Sequence, residues 1–188
     1  MKYFTADTHI GHANILKYCA RTRSFSNIKQ MEEAVIESIN AQVGPGDVLY
    51  HLGDIGWKLA DSVRFFDALR VKQIHVVLGN HDDPAIKKHP KVKSCDWFKR
   101  VKIPGYSMSL CHFPMLSWMG RIHLHGHWHC TGPQYHPWAI DVGVDGMPGF
   151  SHWSDLQIQK RAWDLASGPT IIEAGASPNA RPADSIIS

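Results

Sequence analysis

Tyr3-Phe4-Thr5-Ala6-Asp7-Thr8-His9 is an apolar run that gives way at once to a carboxylate and an imidazole. Residues 3–6 read as a buried strand, which places Asp7 and His9 at its C-terminal end. Residues two apart on an extended chain project to the same side, so both side chains are expected to face one point. The pattern recurs. Val48-Leu49-Tyr50-His51-Leu52 ends in Gly53-Asp54, and Ile74-His75-Val76-Val77-Leu78 ends in Gly79-Asn80-His81-Asp82. A glycine before a ligand lets the backbone turn sharply or approach an ion closely. Polar clusters beyond the carboxyl ends of strands are where open α/β sheets place their sites.

The intervening segments have helical spacing. From Ile28 to Val43 it runs through Met31, Ala34, Val35, Ser38 and Ile39 and stops before Gly44-Pro45-Gly46. A second helix is expected over Lys58 to Leu69, with Leu59, Val63, Phe66 and Leu69 on one face. Strand–helix–strand alternation predicts a parallel sheet. After Lys99 the segments shorten to Val101–Ile103, Ser107–Cys111, Arg121–Leu124 and Ala139–Val144, which predict a second, more antiparallel sheet. Two further polar segments follow strands here, His112 and Gly126-His127-Trp128-His129.

Asp-x-His, Gly-Asp, Gly-Asn-His-Asp, His and Gly-His-x-His, in that order, resemble the calcineurin-like metallophosphoesterase superfamily. The resemblance runs from Met1 to about Trp153. Asp7-Thr8-His9-Ile10-Gly11-His12-Ala13-Asn14-Ile15 and His123-Leu124-His125-Gly126-His127 are similar to its short, single-domain bacterial and phage members. The resemblance implies an α/β fold, a four-layer αββα sandwich of two mixed sheets flanked by helices. It also implies a bridged metal pair: Asp7, His9, Asp54 and His129 for one ion, and Asp54, Asn80, His112 and His127 for the other. His81 matches the histidine that contacts the phosphate or protonates the leaving group, and Asp82 either orients its ring or caps a helix before Pro84. The implied activity is dinuclear metal-dependent hydrolysis of phosphodiesters or phosphomonoesters of nucleotides or other small substrates. Protein phosphatase and a non-catalytic interaction module are the alternatives.

The charge of the ligand set suits that chemistry. Two divalent ions are offset by Asp7, Asp54 and one hydroxide, which leaves about one positive charge to attract and stabilise a phosphate ester. Imidazole with carboxylate and no thiolate fits two divalent transition ions, Mn, Fe, Zn or Ni, and does not choose among them; Mn is the favoured expectation.

Other residues carry two readings each. His12 contacts the substrate phosphate or starts a helix. Arg21 and Arg23 clamp phosphate with their forked donors or lie on the solvated surface. Trp118, with Met115 and Met119, stacks on a base or packs a lid over the site. His51, His75 and His123 read as structural, and His125 as a residue that orients a ligand.

At 188 residues and 44% hydrophobic content, one domain over 1–165 is expected, followed by a loose Gly-, Ala-, Ser- and Pro-rich tail over 166–188. No apolar run reaches membrane-spanning length, and Met1 enters the first strand at once, so no signal peptide and a cytoplasmic location are expected. Cys19, Cys95, Cys111 and Cys130 read as free thiols. The net charge of +3 does not imply nucleic acid, and duplex DNA is not expected as a partner. The basic run Lys87, Lys88, Lys91, Lys93, Lys99, Arg100 and Lys102 reads as a solvated face.

Overall fold

The computed structural model describes residues 1–129, 131–150 and 152–167. In the first sheet β1 (Lys2–Thr5), β2 (Val48–His51), β3 (Gln73–Val77) and β4 (Val92–Asp96) pair in parallel. A two-residue strand, β9 (Trp153–Ser154), adds an antiparallel edge beside β1, giving the order β4-β3-β2-β1-β9. Alternation along the strands sorts the core. Tyr3, Leu49, Ile74 and Val76 pack with Val35 and Ile39 of α2 (Ile28–Gln42) and Phe65 and Phe66 of α3 (Leu59–Ala68). Their neighbours Phe4, Tyr50 and Val77 face the other way, into a core shared with the second sheet.

Local chemistry sets the helix ends. Asn27 caps α2 by accepting from the Gln30 N–H at 3.0 Å, which satisfies one of the orphan donors of the first turn. At the other end of α3, Lys91 Nζ donates to the carbonyls of Phe66 (2.7 Å) and Leu69 (2.6 Å). One lysine of the basic run therefore ties a helix end to the strand that follows.

The second sheet is β5 (Phe98–Ile103), β6 (Tyr106–Cys111), β7 (Ile122–His125) and β8 (Ala139–Asp141), in that order. Its direction corrects the sequence expectation. Only the β5–β6 hairpin is antiparallel, while β6–β7 and β7–β8 are parallel. Residues 112–121 and 126–138 are crossovers that carry the chain back, as parallel pairing requires. The carboxyl ends of β6 and β7 therefore lie side by side, with His112 and Gly126 next in sequence. A parallel bridge between Ala6 and Gly143 joins the two sheets at that end.

α4 (Asp155–Ser167) packs on β1 and β9 and sends Ile158 and Ala162 into the inter-sheet core. It runs past Ala166, where the tail was expected to begin; residues 168–188 and Cys130 lie outside those described. No helix among the described residues is long and apolar enough to cross a membrane.

Candidate metal centre

Among the described residues, left-handed φ at a non-glycine occurs at Asp7 (59°), His9 (48°), Asp54 (55°), His127 (71°), His129 (49°) and Phe150 (55°). All but Phe150 are expected ligands. This conformation costs an L-residue about 1–2 kcal/mol and persists only where the surroundings over-determine it. It also corrects the reason given for the Asp-x-His spacing. β1 ends at Thr5, so Asp7 and His9 are presented by a coiled backbone and not by strand alternation. That coil is stitched to the next loop: the Asp7 N–H donates to Gly53 O and the His9 N–H to Asp54 O, both at 3.0 Å. Gly53, at φ +90°, makes the approach possible. A Cβ there would lie 2.5 Å from Gly79 N and 2.7 Å from His112 Nδ1.

The loops gather two ligand groups. Asp7, His9 and His129 form one, Asp54, His112 and His127 the other, and in each the ligand atoms lie within 4.8 Å of one another. His127 and His129 thus part company, because their turned backbone aims them apart. Asp54 joins the groups: its Oδ2 lies 3.5 Å from His9 Nε2 and 3.5 Å from His112 Nε2. Its Oδ1 accepts the His81 N–H at 3.1 Å.

These groups fit divalent cations. His9 is only 2% exposed, and neither of its ring nitrogens has a hydrogen-bond partner. A buried polar group left unpaired is costly, and an ion beside it removes the cost. His112 Nδ1 lies 2.8 Å from Leu52 O, which assigns the proton to that nitrogen. Nε2 then turns a lone pair toward Asn80 Oδ1, 3.2 Å away. With the amide in this orientation two acceptors face each other, an arrangement that a cation between them would satisfy.

Charge around the groups points the same way. Burial raises the Asp7 carboxyl well above its ordinary range; Asp141 and Asp54 add to the rise, against His129 and the His127 N–H. Burial, then the Arg23 guanidinium and the neighbouring imidazoles, press His9 far below the usual imidazole range. Burial also pushes His129 down, but hydrogen bonds with Asp145 and Cys19 outweigh it and hold the ring at about 10. Asp7 thus lies buried among groups whose charge a bound cation would offset.

Behind His129 stands a pair that the sequence did not reveal. Asp145 Oδ2 lies 2.9 Å from His129 Nδ1, and Arg23 grips Asp145 through Nε (2.9 Å) and Nη2 (2.6 Å). Arg23 Nη2 also donates to Asp7 O at 2.5 Å. Arg23 is 1% exposed, which corrects both readings of it: it is neither a phosphate clamp nor a surface residue. Nothing in Val144-Asp145-Gly146 marks its carboxylate beforehand. Cys19, His129 and Asp145 also approach one another closely enough to hold an ion, but Arg23 and Thr22 already occupy Asp145.

Of the candidate ligands, His9, Asp54, Asn80, His127 and His129 line a cleft of about 590 Å³, together with His12, His81 and Trp57. Exposed His81 packs against His9 with ring centroids 5.6 Å apart. His12 lies 5.5 Å from His9 and stacks on Trp57 at 4.2 Å. Asp82 does neither thing expected of it. Its carboxylate accepts the N–H groups of Gly79 (2.8 Å), Asp54 (2.9 Å) and Ile55 (2.8 Å), locking two ligand loops together. Asp83 is the residue that caps the 3-10 turn Pro84–Lys88. Arg21 is exposed and lines an adjoining cleft with Lys17. Trp118 lines a separate one with Arg121 and Trp138, its ring 5.2 Å from His123. Phe113, not Trp118, brings the loop after His112 to the centre, 4.8 Å from the His127 ring.

Known proteins agree with this architecture. An uncharacterised protein of Methanocaldococcus jannaschii is 33% identical over 155 residues, covering 76% of this chain and 81% of that one. The gene 66 protein of Mycobacterium phage D29 is 29% identical over 207 residues, covering 88% and 98%. In fold, the chain is similar to a protein of unknown function from Aquifex aeolicus, with a TM-score of 0.70 at 24% identity over 85% of this chain and 98% of that one. The sequence profile of the calcineurin-like phosphoesterases matches residues 3–184, nearly the whole chain. With its two mixed sheets and flanking helices, this chain belongs to the calcineurin-like phosphoesterase family.

Proposed function

We propose that this protein is a metal-dependent phosphoesterase whose two ligand groups hold a pair of divalent transition ions bridged by Asp54, and that it hydrolyses small phosphodiesters or phosphomonoesters. The observation that carries the reading is the position of Asp54 Oδ2, equidistant at 3.5 Å from an imidazole of each group. Such an ion pair, when bound, polarises phosphoryl oxygens and lowers the pKa of water.

The chain's own residues do the rest. Asp7, His9 and His129 hold one ion; Asn80, His112 and His127 complete the other site around Asp54. Asp7 and Asp54 offset part of the cation charge and leave the site positive enough for an anionic ester. Leu52 O and Asp145 fix the outer nitrogens of His112 and His129, so the inner ones keep their aim. Asp82 holds the Asp54 and Gly79 loops at one spacing. His81 stands at the cleft edge, where it holds or gives a proton at the leaving oxygen.

The test is hydrolysis of aryl phosphate mono- and diesters, nucleotides and a phosphopeptide across a panel of divalent metals. Turnover of the small esters is expected with added Mn, Fe, Zn or Ni and is abolished by a strong chelator. Full turnover by metal-stripped protein would refute the reading.

A further inference from the structure

Exposed aromatic rings at a polar cleft are informative, because indole is mostly removed from water in folded chains. Trp57 is 47% exposed and Tyr18 73%, and both line the metal cleft. The residue is held at its backbone. The main-chain N–H of Trp57 donates to Ile10 O at 2.7 Å, and the neighbouring pair Ile10 and Gly56 form a parallel bridge. Trp57 therefore rides on the segment that follows Asp54, braced against the segment that follows His9. One face of the ring lies on His12 at 4.2 Å with the planes 18° apart. His12 in turn sits 5.5 Å from His9, and His81 lies 5.6 Å from the indole. The indole thus lies beside the candidate ligands, with the His12 ring between it and His9.

The lining carries a second message. Among the described residues, the metal cleft has no lysine or arginine in its wall. Lys17 and Arg21 line the adjoining cleft, which shares Tyr18, Cys19, His129 and Thr131 with this one, and Arg23 is committed to Asp145. Among the described residues, no cationic side chain stands in the wall that holds Trp57. A phosphoryl group would be held by the ions, with the remaining affinity coming from aromatic surface.

We propose that Trp57 is a specificity-determining residue that stacks the base of a nucleoside phosphoester, and that esters lacking an aromatic moiety bind poorly. The proposal rests on the phosphoesterase reading above and names its substrate class. Base–aromatic stacking tolerates every base, since each has a π face, so discrimination is between base and no base and not among bases.

Calorimetry on the manganese-loaded protein tests this without turnover. The probes are the phosphonate analogues of adenylate and of ribose phosphate, which differ only in the base and resist hydrolysis. The parent is expected to bind the adenylate analogue about five-fold or more tightly than the ribose analogue. Trp57→Ala should bring the two affinities together with metal content unchanged, and Trp57→Phe should keep most of the difference. Equal binding of both probes by the parent would overturn the platform while leaving the phosphoesterase reading intact. Undiminished discrimination in Trp57→Ala would overturn the assignment to this residue. Failure of both probes to bind the loaded parent would overturn this proposal, and the ester hydrolysis panel shows separately whether the phosphoesterase reading stands.

Discussion

One carboxylate, Asp145, ties together three parts of the centre: His129, the Arg23 guanidinium and, through Arg23, the backbone oxygen of Asp7. Both charged side chains of the pair are fully buried. Neutralising one partner of such a pair typically costs about 3–5 kcal/mol, so Asp145→Asn should lower stability by an amount of that order in urea denaturation. Loss of the group that orients a ligand histidine should also weaken metal binding about 10–100-fold in a competitive chelator titration. An unchanged affinity would mean that His129 needs no orienting partner. His81 makes a different prediction. If it serves the leaving oxygen, His81→Ala keeps its metals and loses about 10²–10⁴-fold in turnover. The loss should be greatest for leaving groups of high pKa and shrink for nitrophenyl esters. Coincident Brønsted slopes for mutant and parent would leave His81 a phosphate-positioning role. The expected ligands were legible because each follows an apolar run at fixed spacing. Asp145, Trp57 and the true place of Arg23 were not, since long-range partners give them their meaning and short-range pattern does not.

At the scale of elements, β1 to β3 and the helices between them were readable because buried parallel strands and amphipathic helices differ in period. The direction of β6, β7 and β8 was not, because it depends on the path of two crossover loops. β4 was missed for another reason: most of it is only partly buried, and lysines surround it. One of those lysines does structural work at the end of α3. Lys91→Ala removes charged hydrogen bonds to the last carbonyls of that helix and should cost about 1–2 kcal/mol, measured by thermal or urea unfolding. No change would return Lys91 to the solvated face the sequence suggested. The loops are less forgiving. Gly53→Ala combines a left-handed φ with a collision against the Gly79 backbone, and should cost about 2 kcal/mol or more while loosening metal binding. A stable, fully loaded Gly53→Ala protein would show that the loops can separate without harm to the centre.

For the molecule as a whole, two sheets meet at the carboxyl ends of their strands, and ligands from Asp7 to His129 converge there on backbones held in an unfavourable conformation. If the apposed acceptors at His112 and Asn80 and the unpaired nitrogens of His9 take up ions as proposed, ion binding and folding would stabilise each other there. The two-sheet α/β fold could be anticipated from the strand–helix alternation, from the shorter strands after Lys99, and from the family resemblance that the motif order carries. The separation of His127 from His129 was implied by the resemblance, but the left-handed backbone that produces it could not be read, because a spacing of two residues fits an extended strand and a left-handed turn alike. The central claim is that one carboxylate serves two ions. Elemental analysis of the parent and of Asp54→Ala, purified in the same metal, tests it most directly. The parent should hold two equivalents per chain and the variant should lose both; one equivalent retained in full by Asp54→Ala would contradict the shared centre.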